Sequence, residues 1–386
     1  MNTDQTAILA DHIREQAARF YPDLNAGEAE VRFINFEKRR AVVLYRFQLK
    51  HAEHVRYIIV KTPLLKLASE RTNAQDFEKP LLYPRAESAE MHLLHYQALV
   101  AIDEYFTSLN RKELGAIRVL DYLPQSQTVI MEESKDPSLR DLLLKESRLH
   151  FPARRGELVA KFRNVGTWLQ IYHMMPKKEP VQARNSYRED YVKSISKLAD
   201  FLIERTGNKT FFDRTVSILT QKARKILPDV LPLGLGHGDY AMRNILVGSG
   251  ARVTVLDTLA KWRTPIYEDI GYFLTGLKMT SEQVVSQGLL FSQKQLKDYE
   301  QAFLNGYFEQ KTIPYPAIRL YEMLALLDKW SSVIVASYRR SVKWKWAKHT
   351  TAALASFYFK QCAEHLLREI IEVELTAASM DPERSY

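Results

Sequence analysis

The sequence predicts an α+β fold in two lobes, a small strand-rich N-lobe and a larger helical C-lobe. Three observations predict it. Alternating, β-branched patterns crowd the first part of the chain, helical patterns fill most of the chain beyond Glu133, and a short polar cluster, "HGDYAMRN", interrupts an apolar segment in the second part. The expected division is 1–132 and 133–386.

The first element, "MNTDQTAILADHIREQAARF", reads as an amphipathic helix without the basic start and apolar run of a secretory signal. "AEVRFINFEKRRAVVLYRFQL", Ala29 to Leu49, reads as a hairpin that turns at "EKRR". "HVRYIIVKTP" is the next strand, stopped by Pro63, and a polar link comes after it. "AESAEMHLLHYQALVAIDEYF" is a helix with Met91, Leu94, Ala98 and Ile102 on one stripe. "IRVLDYL" and "QTVIMEE" add two short strands, which gives about five strands and one prominent helix in the first lobe. Beyond Glu133, "PSLRDLLLKES", "RRGELVAKFRNVGTWLQIYHMM", "REDYVKSISKLADFLIERT" and "FFDRTVSILTQKARKIL" are helical in pattern. Strand signals return only at "NILVG" and "RVTVLDT", and the chain from Ile270 to Leu375 is helical again.

The composition bounds the function. The chain has 386 residues, 46% hydrophobic and 26% charged, with no repeat or low-complexity tract, as a globular protein should. A single cysteine, Cys362, excludes a disulfide framework or a cysteine-built zinc site and fits a reducing, cytoplasmic setting. No stretch approaches the ~18 apolar residues that a membrane span needs. The formal charge of +9 is compatible with an anionic partner or with solubility alone. No helix-turn-helix, RNA-recognition or zinc-finger pattern accompanies it, so no nucleic acid is expected.

In "HGDYAMRNILVGSGARVTVLDT", Asp239 and Asn244 lie on a loop entering the strand "NILV", and Asp257 ends the partner strand "VTVLD". A short hairpin brings the two strand ends together. Two aspartates and an asparagine then converge at one end of a small sheet. Oxygen donors of this kind suit a hard cation such as Mg²⁺, which is usually shared with phosphates. The aspartate not needed as a ligand is free to orient a hydroxyl and accept its proton. Taken singly, His-Gly-Asp and Ser-Gly are ordinary turn residues; the joint pattern points to chemistry.

This segment resembles the catalytic segment of the aminoglycoside phosphotransferase and choline kinase family, small-molecule kinases with a protein-kinase-like fold. The resemblance implies a phosphotransferase that uses ATP and Mg²⁺ to phosphorylate a hydroxyl of a small molecule. It implies Asp239 as the catalytic base, Asn244 and Asp257 as Mg²⁺ ligands, His237 as a structural residue of the loop and Asp269, in "YEDIGY", as the buried aspartate that braces it. The kinase template also asks for a lysine on the third strand, which Lys61 supplies, and for a helix glutamate to hold it. Glu87 is preferred over Glu90 because it lies on the stripe of Met91 and Leu94. "IMEES" is the expected hinge, where backbone groups of Met131, Glu132 and Glu133 pair with adenine, and the nucleotide is expected between the lobes.

Two departures stand out. The first hairpin has no glycine-rich loop, so phosphate cover falls to backbone amides or to Lys38, Arg39 or Arg40. "TLA" comes after Asp257 where the family often has a tryptophan at once. Lys329 to Lys360 contains no acidic residue and carries Arg339, Arg340, Lys343, Lys345 and Lys348 beside Trp330, Tyr338, Trp344 and Trp346. That stretch reads either as a core helix with a solvated basic face or as a site for an anionic, sugar-bearing or lipid-linked acceptor, with peripheral contact to an anionic membrane as a further use. It matches a cationic aminoglycoside poorly. The alternative to an enzyme is a catalytically weak, kinase-like nucleotide-binding regulator; the joint presence of Lys61, Asp239, Asn244 and Asp257 speaks for the enzyme.

Overall fold

The computed structural model describes residues 3–23, 29–39, 42–64, 80, 89–145, 155–176, 181–258, 260–339 and 345–379. In chain order the elements are α1 (Thr3–Glu15), α2 (Ala17–Phe20), β1 (Glu30–Lys38), β2 (Val42–His51), β3 (His54–Pro63), α3 (Ala89–Ser108), β4 (Leu114–Gly115), β5 (Val119–Leu123), β6 (Thr128–Glu132), α4 (Leu139–Lys145), α5 (Arg155–Met174), β7 (Gln182–Ala183), α6 (Arg188–Thr206) and α7 (Lys209–Ile226). They continue with β8 (Leu233–Leu235), a 3₁₀ turn (Met242–Asn244), β9 (Ile245–Val247), β10 (Val253–Val255), β11 (Trp262–Pro265), α8 (Ile266–Lys278), α9 (Ser281–Val285), α10 (Gln293–Phe308), α11 (Tyr315–Arg339) and α12 (Lys345–Ser379).

The chain divides into two compact units. One comprises Met1–Thr72, Ala86–Pro137 and Leu246–Leu259; the other comprises Asn73–Arg85, Ser138–Ile245 and Ala260–Tyr386. A single cut at 132/133 therefore does not describe the segment Leu246–Leu259, which packs with the first unit.

The first unit is built on a five-stranded sheet of order β1-β2-β3-β6-β5. The β1–β2, β2–β3, β3–β6 and β5–β6 pairs are all antiparallel, and β3 lies in the centre with Lys61 opposite Leu44 on one side and Val129 on the other. Side chains alternate across a strand. Ile58 and Val60 therefore enter a core with Phe47, Leu49 and Ile130, closed by Leu9, Ile13, Ala17, Phe20 and Tyr21 of α1 and α2. Each Val, Leu, Ile or Phe among them contributes about 1.5–3 kcal/mol on burial. Lys61, one residue out of phase, points to the opposite face. A second sheet, β4-β10-β9, carries the Leu246–Leu259 segment. On α3 the buried positions are His95, Ala98, Leu99, Ile102 and Phe106, at helical spacing.

The second unit is helical around a small sheet of order β7-β11-β8. Its α5 and α10 approach until backbone meets backbone. A Cβ on Gly306 would lie 1.9 Å from the carbonyl oxygen of Arg163, and one on Gly166 would lie 2.0 Å from that of Phe303. Only glycine permits this crossing, and Thr167 uses it by donating its hydroxyl to the Gly306 carbonyl at 3.0 Å. Trp330 is fully buried, stacked on Phe359 at 5.9 Å, and donates its indole N–H to Ser356 at 3.1 Å. It is a core residue and is not available to stack on a ligand. Arg340, Lys343 and Trp344 lie outside the described residues, as do the side chains of Tyr338, Arg339, Lys345, Trp346 and Lys348.

A buried ionic group ties four helices of this unit. Lys278 of α8 pairs with Glu300 of α10 at 2.8 Å and with Glu322 of α11 at 2.7 Å. Arg319 of α11 contacts Glu322, and reaches Glu300 at 2.5 Å and Glu369 of α12 at 2.9 Å. Charges this buried persist only when each has its partners.

Candidate active site

The loop after β8 is built inward from its apolar residues. Tyr240 is fully buried and donates its hydroxyl to the Val165 carbonyl at 2.7 Å, and its ring lies 6.0 Å from that of Trp168. Met242 is buried beside it in the sequence, while Asp239 and Arg243 remain accessible. Gly238 has φ +80, a conformation glycine adopts without strain.

Asp269, on the first turns of α8, braces this loop. Its Oδ2 accepts the His237 amide at 2.7 Å and its Oδ1 accepts the Gly238 amide at 2.9 Å. His173 Nε2 lies 3.1 Å from the same Oδ2, and its Nδ1 lies 2.7 Å from the Tyr307 hydroxyl. Burial alone would push the Asp269 carboxyl up; the hydrogen bond and charge of His173, with the amides, hold it below the usual carboxylate range.

With its loop fixed, Asp239 receives three donors. Arg243 reaches Oδ1 at 2.6 Å and Oδ2 at 2.5 Å, Tyr272 donates to Oδ1 at 3.0 Å, and Asn244 Nδ2 donates to Oδ2 at 3.0 Å and to the Asp239 carbonyl, also at 3.0 Å. Both N–H bonds of Asn244 are thus directed at Asp239. Its amide oxygen is the atom left for a cation.

The other group of expected residues lies on the first unit. Lys61 Nζ is 2.6 Å from Asp257 Oδ1. The strand β10 ends at Val255, so Asp257 sits two residues beyond the strand rather than at its end, with φ 58. Aspartate is one of the few residues that visits this left-handed region. Arg39 feels the same carboxylate while it donates to Glu37 at 3.0 and 3.1 Å; Arg40 lies outside the described residues.

Glu87 and the side chain of Glu90 also lie outside the described residues. The α3 groups placed by this lysine are histidines. His95 is buried, its Nε2 is 3.8 Å from Asp257 Oδ1, and no hydrogen-bond partner among the described residues reaches that atom. Burial first, then Lys61, pushes His95 down to about 3. His92 is lowered by the same two causes.

The hinge expectation changes in one respect. The Glu132 amide donates to the Arg118 carbonyl at 2.9 Å and the Glu133 amide to the Tyr57 carbonyl at 2.8 Å, because both continue the pairing of the sheet. Neither amide is free to donate to a ring. Met131 pairs with Ile59 and Val119, and the Glu133 carboxylate pairs with Arg46 at 2.6 Å.

Sequence reasoning missed Tyr272, Arg243, His173 and His95. Tyr272 had a signal: it lies three residues after Asp269, on the same face of a predicted helix. Arg243 was visible inside the motif, one helical turn from Asp239. Nothing local marked the two histidines.

No family model matches the sequence, and no curated protein sequence matches it either. Solved structures similar to this chain include choline kinases and an aminoglycoside phosphotransferase. Choline kinase from Cryptosporidium parvum Iowa II is 12% identical over 99% of this chain and 99% of that one, with a TM-score of 0.49. The ternary complex of streptomycin, ATP and APH(2″)-IIa is 13% identical over 92% and 97%, with a TM-score of 0.47. Choline kinase LicA from Streptococcus pneumoniae is 13% identical over 92% and 99%, with a TM-score of 0.46.

Proposed function

We propose that this chain is an ATP- and Mg²⁺-dependent phosphotransferase that phosphorylates a hydroxyl of a small molecule in the cytoplasm. The observation that carries the reading is the Asp239–Asn244 pair. By spending both N–H bonds on Asp239, Asn244 fixes the carboxylate for an incoming hydroxyl and leaves its own amide oxygen as a cation ligand. On the first unit, Asp257 is held by Lys61 and is the further oxygen donor that the family resemblance implies. Both donors are hard oxygens, which fits Mg²⁺. When bound, Mg²⁺ neutralises charge on the phosphates. Lys61 adds a fixed cation for phosphate oxygens. Asp239 orients the acceptor hydroxyl and takes its proton late, because phosphoryl transfer asks little of a base beyond positioning.

The test is steady-state kinetics on Asp239→Asn, with nucleotide affinity measured separately. General-base action typically supplies ~10²–10⁴-fold, so turnover should fall within that range while nucleotide affinity holds. Full activity would reduce Asp239 to a turn residue.

One observation favours the second reading, a catalytically weak nucleotide-binding regulator. Arg243 claims both oxygens of Asp239. On that reading the wild type binds ATP without turning it over with any acceptor, and Arg243→Ala releases activity. No helix among the described residues is long and apolar enough to cross a membrane.

A further inference from the structure

One oxygen atom of the first unit collects two nitrogens. Oδ1 of Asp257 lies 2.6 Å from the Lys61 ammonium and 3.8 Å from His95 Nε2. The first contact is a short ionic hydrogen bond; the second is too long to be one. The His95 side chain, on α3, is 7% exposed, and its Nε2 has no hydrogen-bond partner among the described residues. A buried ring nitrogen left in that state needs a reason. Asp257 is the open member of the group, 46% exposed against 18% for Lys61. A cation arriving from solvent can therefore reach the carboxylate, while His95 stays sheltered from it.

The carboxylate thus has two claimants. Asp257 is the one anion that pairs with Lys61 among the described residues, and it is also the proposed Mg²⁺ ligand. A divalent ion on Oδ1 repels an ammonium on the same oxygen, so Lys61 must release Asp257 as the metal binds. The freed N–H then needs an acceptor. Phosphate oxygens serve on the nucleotide side; on the side of α3 the acceptor is Nε2. Burial, reinforced by the charge of Lys61, keeps this imidazole neutral, which leaves it one ring nitrogen able to accept.

We propose that His95 is the positioning residue of Lys61: when a cation claims Asp257, Nε2 accepts a hydrogen bond from the Lys61 ammonium and holds it for the nucleotide phosphates. The inference rests on the phosphotransferase reading for the nucleotide and its metal, and on the Lys61–Asp257–His95 geometry for the acceptor. A neutral acceptor differs from the helix glutamate of the kinase template. It fixes the ammonium without cancelling its charge, so that charge is left whole for phosphate.

The test uses the full chain at about pH 8, above the ordinary histidine range. Calorimetry follows a non-hydrolysable ATP analogue, once with Mg²⁺ and once with EDTA. With Mg²⁺, Lys61→Met and His95→Leu should each weaken binding about tenfold or more, the scale of a hydrogen bond to a charged group. In EDTA, where Asp257 still holds the ammonium, His95→Leu should bind as wild type does. Adding His95→Leu to Lys61→Met should cost nothing further, because the two side chains act as one unit. A packing role would instead show its loss in both backgrounds and both buffers. His95→Gln, which keeps an acceptor, should retain most of the affinity, and thermal midpoints report on the folding of each variant. Nitrogen NMR of labelled histidine should show His95 Nε2 without a proton.

A protonated Nε2, full affinity of His95→Leu with Mg²⁺, or a loss that persists in EDTA or in Lys61→Met would each overturn the proposal. A loss in Glu87→Gln with none in His95→Leu would give the role to the glutamate. Those outcomes leave the phosphotransferase reading standing. A wild type that binds no analogue, or a Lys61→Met variant that binds the Mg²⁺ complex as tightly as wild type, would instead retire that reading, and the role of His95 with it.

Discussion

Tyr272 donates its phenolic proton to Oδ1 of Asp239 across 3.0 Å, from a position one helical turn beyond Asp269, which holds the backbone of the same loop. One face of α8 thus sets both the loop and the carboxylate it presents. Burial, and then the charge of Asp239, raise the Tyr272 phenol, so it stays a donor at any working pH. Tyr272→Phe removes this donor and keeps the ring. A hydrogen bond to a charged group is worth about 1.5–3 kcal/mol, so turnover should fall on the order of tenfold or more. Nucleotide affinity, measured by titration, should not move.

Asp257→Ala and Asn244→Ala should both weaken the Mg²⁺ dependence of nucleotide-analogue binding. Asp257 should matter more, because a carboxylate brings a full charge and an amide only a dipole. Turnover of Asp257→Ala should drop about 10²-fold or more, in line with the several kcal/mol that a metal contributes to phosphate charge stabilisation. Raising Mg²⁺ should rescue Asn244→Ala further than Asp257→Ala. Equal activity of Asp257→Ala and wild type at ordinary Mg²⁺ would remove Asp257 from the ligand set.

Asp269→Asn keeps the size of the side chain and discards the charge that His173 and two amides were arranged to meet. Breaking one side of a buried, hydrogen-bonded charge group costs about 3–5 kcal/mol. Urea unfolding should show that loss. Asp239→Asn, at a more exposed site, should unfold at nearly the wild-type midpoint.

His95 predicts a pH dependence of stability. The unfolded chain takes up this proton near 6.5, whereas the folded protein resists it down to about 3. Between those values the unfolded state holds more protons, so acidification favours unfolding. The stabilisation is complete above about 6.5 and is lost towards 3, with a slope of at most about 1.4 kcal/mol per pH unit. Urea midpoints between pH 7 and 4 should fall less steeply in His95→Gln than in wild type. Parallel slopes would show that His95 is protonated freely in the folded state.

Much of this arrangement could be anticipated from spacing. The strands of the first lobe, the strand that carries Lys61 and the loop that carries Asp239 and Asn244 all follow from local pattern, because periodicity and turn chemistry are local properties. The partners of Asp257 could not be read in the same way. Its lysine lies 196 positions away and its histidine sits on a helix where a glutamate was sought. Nothing in the sequence near His95 distinguishes a buried imidazole from an exposed one. Trp330 fails for a related reason: an aromatic in a basic stretch suits a core and a binding face equally well, and only the packing of Phe359 and Ser356 decides. The hinge expectation narrows at Glu132 and Glu133, whose amides are taken by the sheet, because hydrogen-bond accounting depends on which strands flank a segment, and a single strand does not carry that information.

The excursion of Leu246–Leu259 into the first unit has a consequence for how the protein is made. A ribosome completes the five strands of the main sheet by residue 132, but β10, the central strand of the second sheet, emerges more than a hundred residues later. Until then β4 lacks its partner, and Lys61 lacks the carboxylate of Asp257. The nascent first unit should therefore stay open to chaperones and proteases during synthesis of the helices α4 to α7. A gene fragment ending near residue 137 should yield a protein that is hard to recover soluble, whereas one in which the 246–259 segment is supplied through a short designed connection should be markedly less prone to aggregate.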